Sequence, residues 1–91
     1  MDKEYMIYAI NSRLQVLEKR YKNLCLNRDE DGNEISEKVA TVYRCKIKRD
    51  YQILVLIKVL VNQSTSDFII KEDDAIDAFM KLVEPKEKKR A

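Results

Sequence analysis

The sequence predicts an all-α fold, a three-helix domain built on a long antiparallel helical hairpin. The 91 residues include only one Gly and one Pro, which leaves few positions for the sharp turns of β-hairpins or phosphate loops. Apolar residues recur at helical spacing in three separate segments. The chain is 45% apolar and long enough to bury one modest core. We therefore expect a single helical domain over residues 1–84, followed by a basic flexible tail over residues 85–91.

The first helix is predicted over residues 3–26. Its apolar residues follow one another at alternating steps of three and four, the spacing of a heptad seam. They are Ile7, Ile10, Leu14, Leu17, Tyr21 and Leu24. A polar break follows over residues 27–33, where Gly32 can turn the chain and Asn33 can cap the next helix.

The second helix is predicted over residues 34–62, a stretch without Gly or Pro. Its apolar positions are three or four residues apart: Val39, Tyr43, Ile47, Tyr51, Leu54, Ile57 and Val61. The alternative is an α+β fold with a β-hairpin at about residues 37–61 between two helices, because β-branched residues are frequent there. That hairpin would have to turn at Arg49–Asp50 without any of the usual turn residues. The helix is therefore the preferred interpretation.

The third helix is predicted over residues 67–84, with Ser66 or Asp67 as its cap and Pro85 as its stop. Its apolar face consists of Ile69, Ile76, Phe79, Met80 and Val83. We expect this helix to pack over the apolar end of the second helix.

The second helix carries more apolar surface than one neighbour can cover. Between residues 53 and 61 every side chain is apolar except Lys58, so the helix has no polar side to turn toward water. We predict that Val55, Leu56 and Val59 form the surface that contacts a protein partner or a second copy of the chain, with a homodimer as the expected state.

Charge is distributed unevenly along the chain. Residues 35–62 hold six basic and two acidic side chains, whereas residues 63–84 hold two basic and six acidic ones. We expect these two elements to pack side by side and neutralise each other. The alternative is an anionic partner such as nucleic acid, although no recognition-helix motif is found. Its candidate contacts are Arg44, Lys48, Arg49, Lys88, Lys89 and Arg90.

Asp50 interrupts the apolar positions of the second helix. If the hairpin folds back across the loop, Asp50 comes opposite the region of Asn11 to Arg13. We predict that Arg13 and Asp50 form a partly buried pair that fixes the register of the two helices.

The sequence offers no constellation for catalysis or metal binding. The chain has no His, so Cys25 and Cys45 have no obvious base and are expected to be reduced, buried thiols. Residues 27–32 resemble the first half of a calcium loop, but Lys38 stands where a bidentate Glu is required. We expect no cofactor, no metal and no catalytic residue.

The function predicted from the sequence is a non-enzymatic protein–protein interaction module (an adaptor, inhibitor or assembly subunit) that acts through a helical surface. The alternative is a small nucleic-acid-binding regulator. A third hypothesis, a helical enzyme that holds an anionic substrate with Arg and Lys, has no residue spacing to support it. Without a signal sequence or a long apolar segment, the expected location is the cytoplasm, with no membrane contact.

Overall fold

The computed structural model describes residues 1–65 and 70–85, and within these ranges it contains three α-helices and no β-strand. The helices are α1 (Lys3–Cys25), α2 (Glu37–Gln63) and α3 (Asp73–Val83). The all-α prediction is confirmed, and the β-hairpin alternative is wrong because residues 37–61 are helical throughout. Ser66, Asp67 and Ile69 lie outside the described residues.

Side-chain caps set the starts of the two long helices. The Asp2 carboxylate accepts a hydrogen bond from the backbone N–H of Tyr5 at 2.8 Å. The Ser36 hydroxyl accepts from the backbone N–H of Val39 at 3.2 Å. Each bond satisfies one of the N–H groups that a helix start leaves without a partner. The cap of α2 is therefore Ser36 rather than the predicted Asn33, and the helix begins three residues later than expected.

The end of α1 is a Schellman motif. The N–H of Arg28 donates to the carbonyl of Asn23 and the N–H of Asn27 to that of Leu24, both at 3.0 Å. This geometry requires a left-handed residue, and Asn27 supplies it with a φ of 55°. Gly32, with a φ of 85°, makes the second left-handed turn of the loop, as the sequence predicted.

Hydrogen bonds hold the loop between α1 and α2 in a closed form. The Asp29 carboxylate accepts from the backbone N–H groups of Asp31 at 3.0 Å and Asn33 at 2.9 Å. A salt bridge of 2.7 Å joins Arg20 on α1 to Glu30 in the loop. The Asp29 carboxylate, one of the candidate calcium ligands, thus serves the backbone of its own loop.

The core lies mainly between α1 and α2 and extends to α3. Its buried members are Met6, Ala9, Ile10, Leu14, Leu17, Leu54, Val61, Phe79 and Val83. The predicted seam residues Ile10, Leu14 and Leu17 are confirmed as core. Met6 and Ala9 were not predicted, although Met6 is four residues before Ile10 and therefore on the same side of α1.

α3 is shorter than predicted and contacts a different neighbour. It begins at Asp73 rather than residue 67, and it packs mainly against α1. The Tyr5 hydroxyl on α1 lies 4.0 Å from the Met80 sulfur on α3. Phe79 and Val83 join the core, but the outward side of α2 remains exposed.

Each long helix supplies a cation to the C-terminal end of the other. The Lys3 ammonium on α1 donates to the carbonyls of Asn62 at 3.2 Å and Ser64 at 3.0 Å. The Arg44 guanidinium on α2 donates to the carbonyl of Leu24 at 2.8 Å. Helix C-termini carry partial negative charge and unpaired carbonyls, so both contacts favour the antiparallel arrangement and fix its register.

Candidate interaction surface

The two sides of α2 differ in burial although both are apolar. The inner side is buried and consists of Ala40, Leu54 and Val61. Over residues 53–60 the outward side carries five large side chains with exposed fractions between 37% and 60%. These are Ile53, Val55, Leu56, Val59 and Leu60, which together we call the outer apolar face. The structure places all three predicted partner residues on this face and adds two that the sequence analysis missed.

The outer apolar face has the spacing of a helix-packing seam. Ile53, Leu56 and Leu60 follow at steps of three and four, so they share one side of α2. Leu56 is 60% exposed and Leu60 58%, and both stand near the centre of the face. Contiguous apolar surface of this kind marks an interaction site more often than scattered exposed residues do.

A shallow groove of about 520 Å³ runs between α1 and α2 toward the loop end of the hairpin. Its lining is Leu17, Glu18, Tyr21, Lys22, Ile47, Lys48, Tyr51 and Gln52. Val55 and Val59 follow Lys48 and Gln52 on the same side of α2 at helical spacing. The groove therefore continues into the outer apolar face, and the two form one surface.

A hydrogen bond fixes one wall of this groove. The Tyr51 hydroxyl donates to the Glu18 carboxylate at 2.9 Å across the hairpin. This bond, with partial burial and the negative charge of Glu18, raises the pKa of Tyr51 above its ordinary value of 10.0. The Tyr51 ring lines the groove.

The predicted nucleic-acid contacts are dispersed. Arg44 is engaged within the fold, since its guanidinium donates to the Leu24 carbonyl at 2.8 Å and to the Thr41 hydroxyl at 3.0 Å. Lys48 borders the groove, and Arg49 is exposed on another side of α2, with its Nε 4.0 Å from a carboxylate oxygen of Asp50. The remaining candidates lie outside the described residues: Lys88, Lys89 and Arg90.

The basic and acidic sections lie at opposite ends of the hairpin. Residues 44–49 hold four basic side chains and no acidic one, and Arg44 contacts Leu24 at the loop end. Residues 72–77 hold four acidic side chains and no basic one. They begin two residues after Ile70, whose carbonyl accepts from the Met1 ammonium at 2.6 Å.

This separation corrects the expectation that the two sections neutralise each other within one chain. Met1 and Leu24 are about 35 Å apart along the α1 axis, at about 1.5 Å per residue. The reason is the late start of α3: its acidic first turn lies beside the N-terminus of α1, whereas the basic residues lie beside the C-terminus of that helix.

Both cysteines are free and exposed, so the predicted burial is wrong. Cys25 is the last residue of α1, and Cys45 lies on the outward side of α2, four residues before Arg49. Arg13 and Asp50 are both partly exposed, and their pairing stays a prediction.

Residues 1–65 and 70–85 contain no group of three or more acidic or cysteine side chains able to hold a metal ion. Among the helices of that same part of the chain, none is long and apolar enough to cross a membrane. No known protein family matches the chain, and neither the curated proteins nor the solved structures contain a significant match.

Proposed function

We propose that this chain is a non-enzymatic protein–protein interaction module that acts through the outer apolar face of α2. The observation that carries the proposal is the exposure of five large apolar side chains on three consecutive turns of one helix. Apolar area removed from water contributes roughly 25 cal/mol per Å² of favourable free energy. A partner that covers this face therefore gains binding free energy from the area it buries.

The geometry favours a helical partner. Leu56 and Leu60 stand out from a straight helix, with the neighbouring Val59 beside them, and such ridges pack into the grooves of a second helix. The groove beside Tyr51 offers the complementary shape, a concave surface with an apolar floor at Leu17. An adaptor, inhibitor or assembly subunit would use this surface by pairing helix against helix.

Nucleic-acid binding is the alternative, supported by the exposed side chains of Lys46, Lys48 and Arg49. Only Lys46 and Arg49 share the outward side of α2, because Lys48 borders the groove and Arg44 already donates to the Leu24 carbonyl. The affinity of a protein for nucleic acid increases with the number of phosphates that its cations neutralise, because each contact releases counterions. A few separated cations therefore support only weak binding. The protein-interaction proposal therefore has the stronger basis.

Site-specific photo-crosslinking in cells that express the protein tests the proposal. A benzophenone amino acid at position 56 lies at the centre of the outer apolar face, and the same amino acid at Leu82 is the matched control on α3. Leu82 is also exposed, at 42%. We expect a discrete crosslinked protein from position 56, reduced by the second-site variant Leu60→Gln. Equal crosslinking from both positions, or none from position 56, would contradict the proposal.

A further inference from the structure

We infer that the outer apolar face pairs with the same face of a second copy, with the two α2 helices antiparallel. This inference rests on the proposed function and names the partner. It depends on the charge pattern along the outward side of α2 and on the position of the acidic residues at the far end of the hairpin.

The seam of the outer apolar face continues toward the start of α2 and changes character there. At the same steps of three and four, Leu60, Leu56 and Ile53 are followed by Arg49 and Lys46. Both cations are exposed. The outward side of α2 thus carries two exposed cations directly before the outer apolar face, and the apolar side chains of Val42 and Val39 precede them.

Parallel pairing of two such helices is unfavourable. It would place Arg49 against the partner's Arg49 and Lys46 against the partner's Lys46, and like charges in a contact oppose association. Antiparallel pairing centred on Leu56 places Ile53 against the partner's Val59 and brings Arg49 level with the partner's Gln63. The two outer apolar faces then overlap, and the cations of one copy do not meet those of the other.

Lys46 and Arg49 of each copy then lie toward the end of the other copy that carries the acidic residues. Beyond Arg49, α2 extends past the end of the partner's α2, which finishes at Gln63. At that end of the hairpin the backbone of Ile70 is held by Met1, and after Lys71 the segment 72–77 contains four exposed acidic residues. Lys46 and Arg49 near one end and four acidic residues at the other end are opposite in charge, and a twofold-symmetric pair brings these ends together twice.

Sedimentation equilibrium of the full chain tests self-pairing. We expect a species of twice the 10.8 kDa mass of one chain. Leu56→Gln should raise the dissociation constant at least about tenfold, since it places a polar group at the centre of the contact. Leu82→Gln, the matched change on α3, should leave it unchanged. Circular dichroism confirms that each variant keeps its helices.

Charge reversal tests the antiparallel arrangement. The double variant Lys46→Glu with Arg49→Glu should weaken the dimer about tenfold or more at low salt, because acidic residues would then face acidic residues. Adding Asp73→Lys and Asp74→Lys to that variant should restore the wild-type dissociation constant to within a few-fold. A parallel dimer would respond to neither change in this way.

The outcomes separate the two proposals. A wild-type monomer at about 100 µM would overturn self-pairing, whereas a heterologous protein crosslinked at position 56 would still support the interaction module. If Leu56→Gln disrupts the dimer but charge reversal leaves the dissociation constant unchanged, the outer apolar face is the contact surface and the antiparallel arrangement is wrong. Loss of dimer with Leu56→Gln, together with rescue by the full charge exchange, supports both.

Discussion

The inner and outer sides of α2 are made from nearly the same amino acids and have different roles. Leu54 on the inner side is 2% exposed, whereas Leu56, two residues later, is 60% exposed. The inner side was predictable as core because α1 supplies a matching apolar seam. The outer side has no such match within the residues that the structure describes. One helix therefore carries two apolar surfaces, one that packs in the core and one that is exposed.

The largest expected difference between the two sides is in stability. Leu54→Ala should lower the free energy of unfolding by about 2–5 kcal/mol, because it leaves a cavity in the core. Leu56→Ala should change it by about 0.5 kcal/mol or less, since an exposed side chain leaves no cavity. Chemical denaturation at a protein concentration low enough to keep the chain monomeric measures both. Similar losses from the two variants would mean that the sides of α2 are not distinct.

The cation caps provide the next test, because they orient α2 so that its inner side faces α1. Arg44→Met should cost about 1–2 kcal/mol, since it removes a charged donor from the Leu24 carbonyl while keeping most of the side-chain volume. Arg49→Met is the control, because the Arg49 side chain is 69% exposed. Its effect on the midpoint of urea unfolding should be small. Equal shifts of the urea midpoint in the two variants would show that Arg44 does not stabilise the C-terminal end of α1.

The Schellman motif at the end of α1 reverses the direction of the chain before α2 begins. Asn27 has a φ of 55°, so Asn27→Ala should destabilise the domain by about 1 kcal/mol. Asn27→Gly should cost less than Ala, because Gly adopts the left-handed conformation without steric penalty. Thermal unfolding of the two variants gives the order. A more stable Ala variant would contradict the Schellman geometry.

The smallest effect concerns pH. The raised pKa of Tyr51 means that the folded state favours the neutral phenol. Its contribution is fully present below the unfolded value of 10.0 and is lost as the pH rises through the higher folded value. The melting temperature should therefore fall more steeply above pH 10 in the wild type than in Tyr51→Phe. If the melting temperatures of the two proteins fall equally with pH, the hydrogen bond between Tyr51 and Glu18 does not contribute to stability.

Local sequence patterns were enough to predict the hairpin. The steps of three and four from Ile10 to Leu17 specify the buried side of α1, and the lack of Gly and Pro over residues 34–62 indicated one uninterrupted helix. The helix ends were less accurate. Ser36 rather than Asn33 caps α2, because the loop extends three residues further than expected. Its backbone turns leave no mark in the spacing of apolar residues.

Long-range placement was not predictable from the pattern. The charge counts alone suggested that the basic and acidic sections lie side by side, but counts carry no information on which end of α1 each section meets. Tertiary contacts decide this: Arg44 meets Leu24, and Ile70 meets Met1. The exposure of Val55, Leu56 and Val59 was predictable, because residues 53–61 contain more apolar side chains than one neighbouring helix can cover. Ile53 and Leu60 were missed because their exposure depends on where α3 packs.

The central claim is that the outward side of α2 pairs antiparallel with itself, and one distance tests it directly. A spin label on the exposed Cys45, in a Cys25→Ser background, reports the separation of the two copies by pulsed electron spin resonance. Pairing centred on Leu56 predicts a separation of about 35 Å, from 22 residues of helical rise and the spacing of packed helices. A separation near 10 Å would indicate parallel pairing, and the absence of dipolar coupling would show that the chain does not pair; either result would contradict the claim.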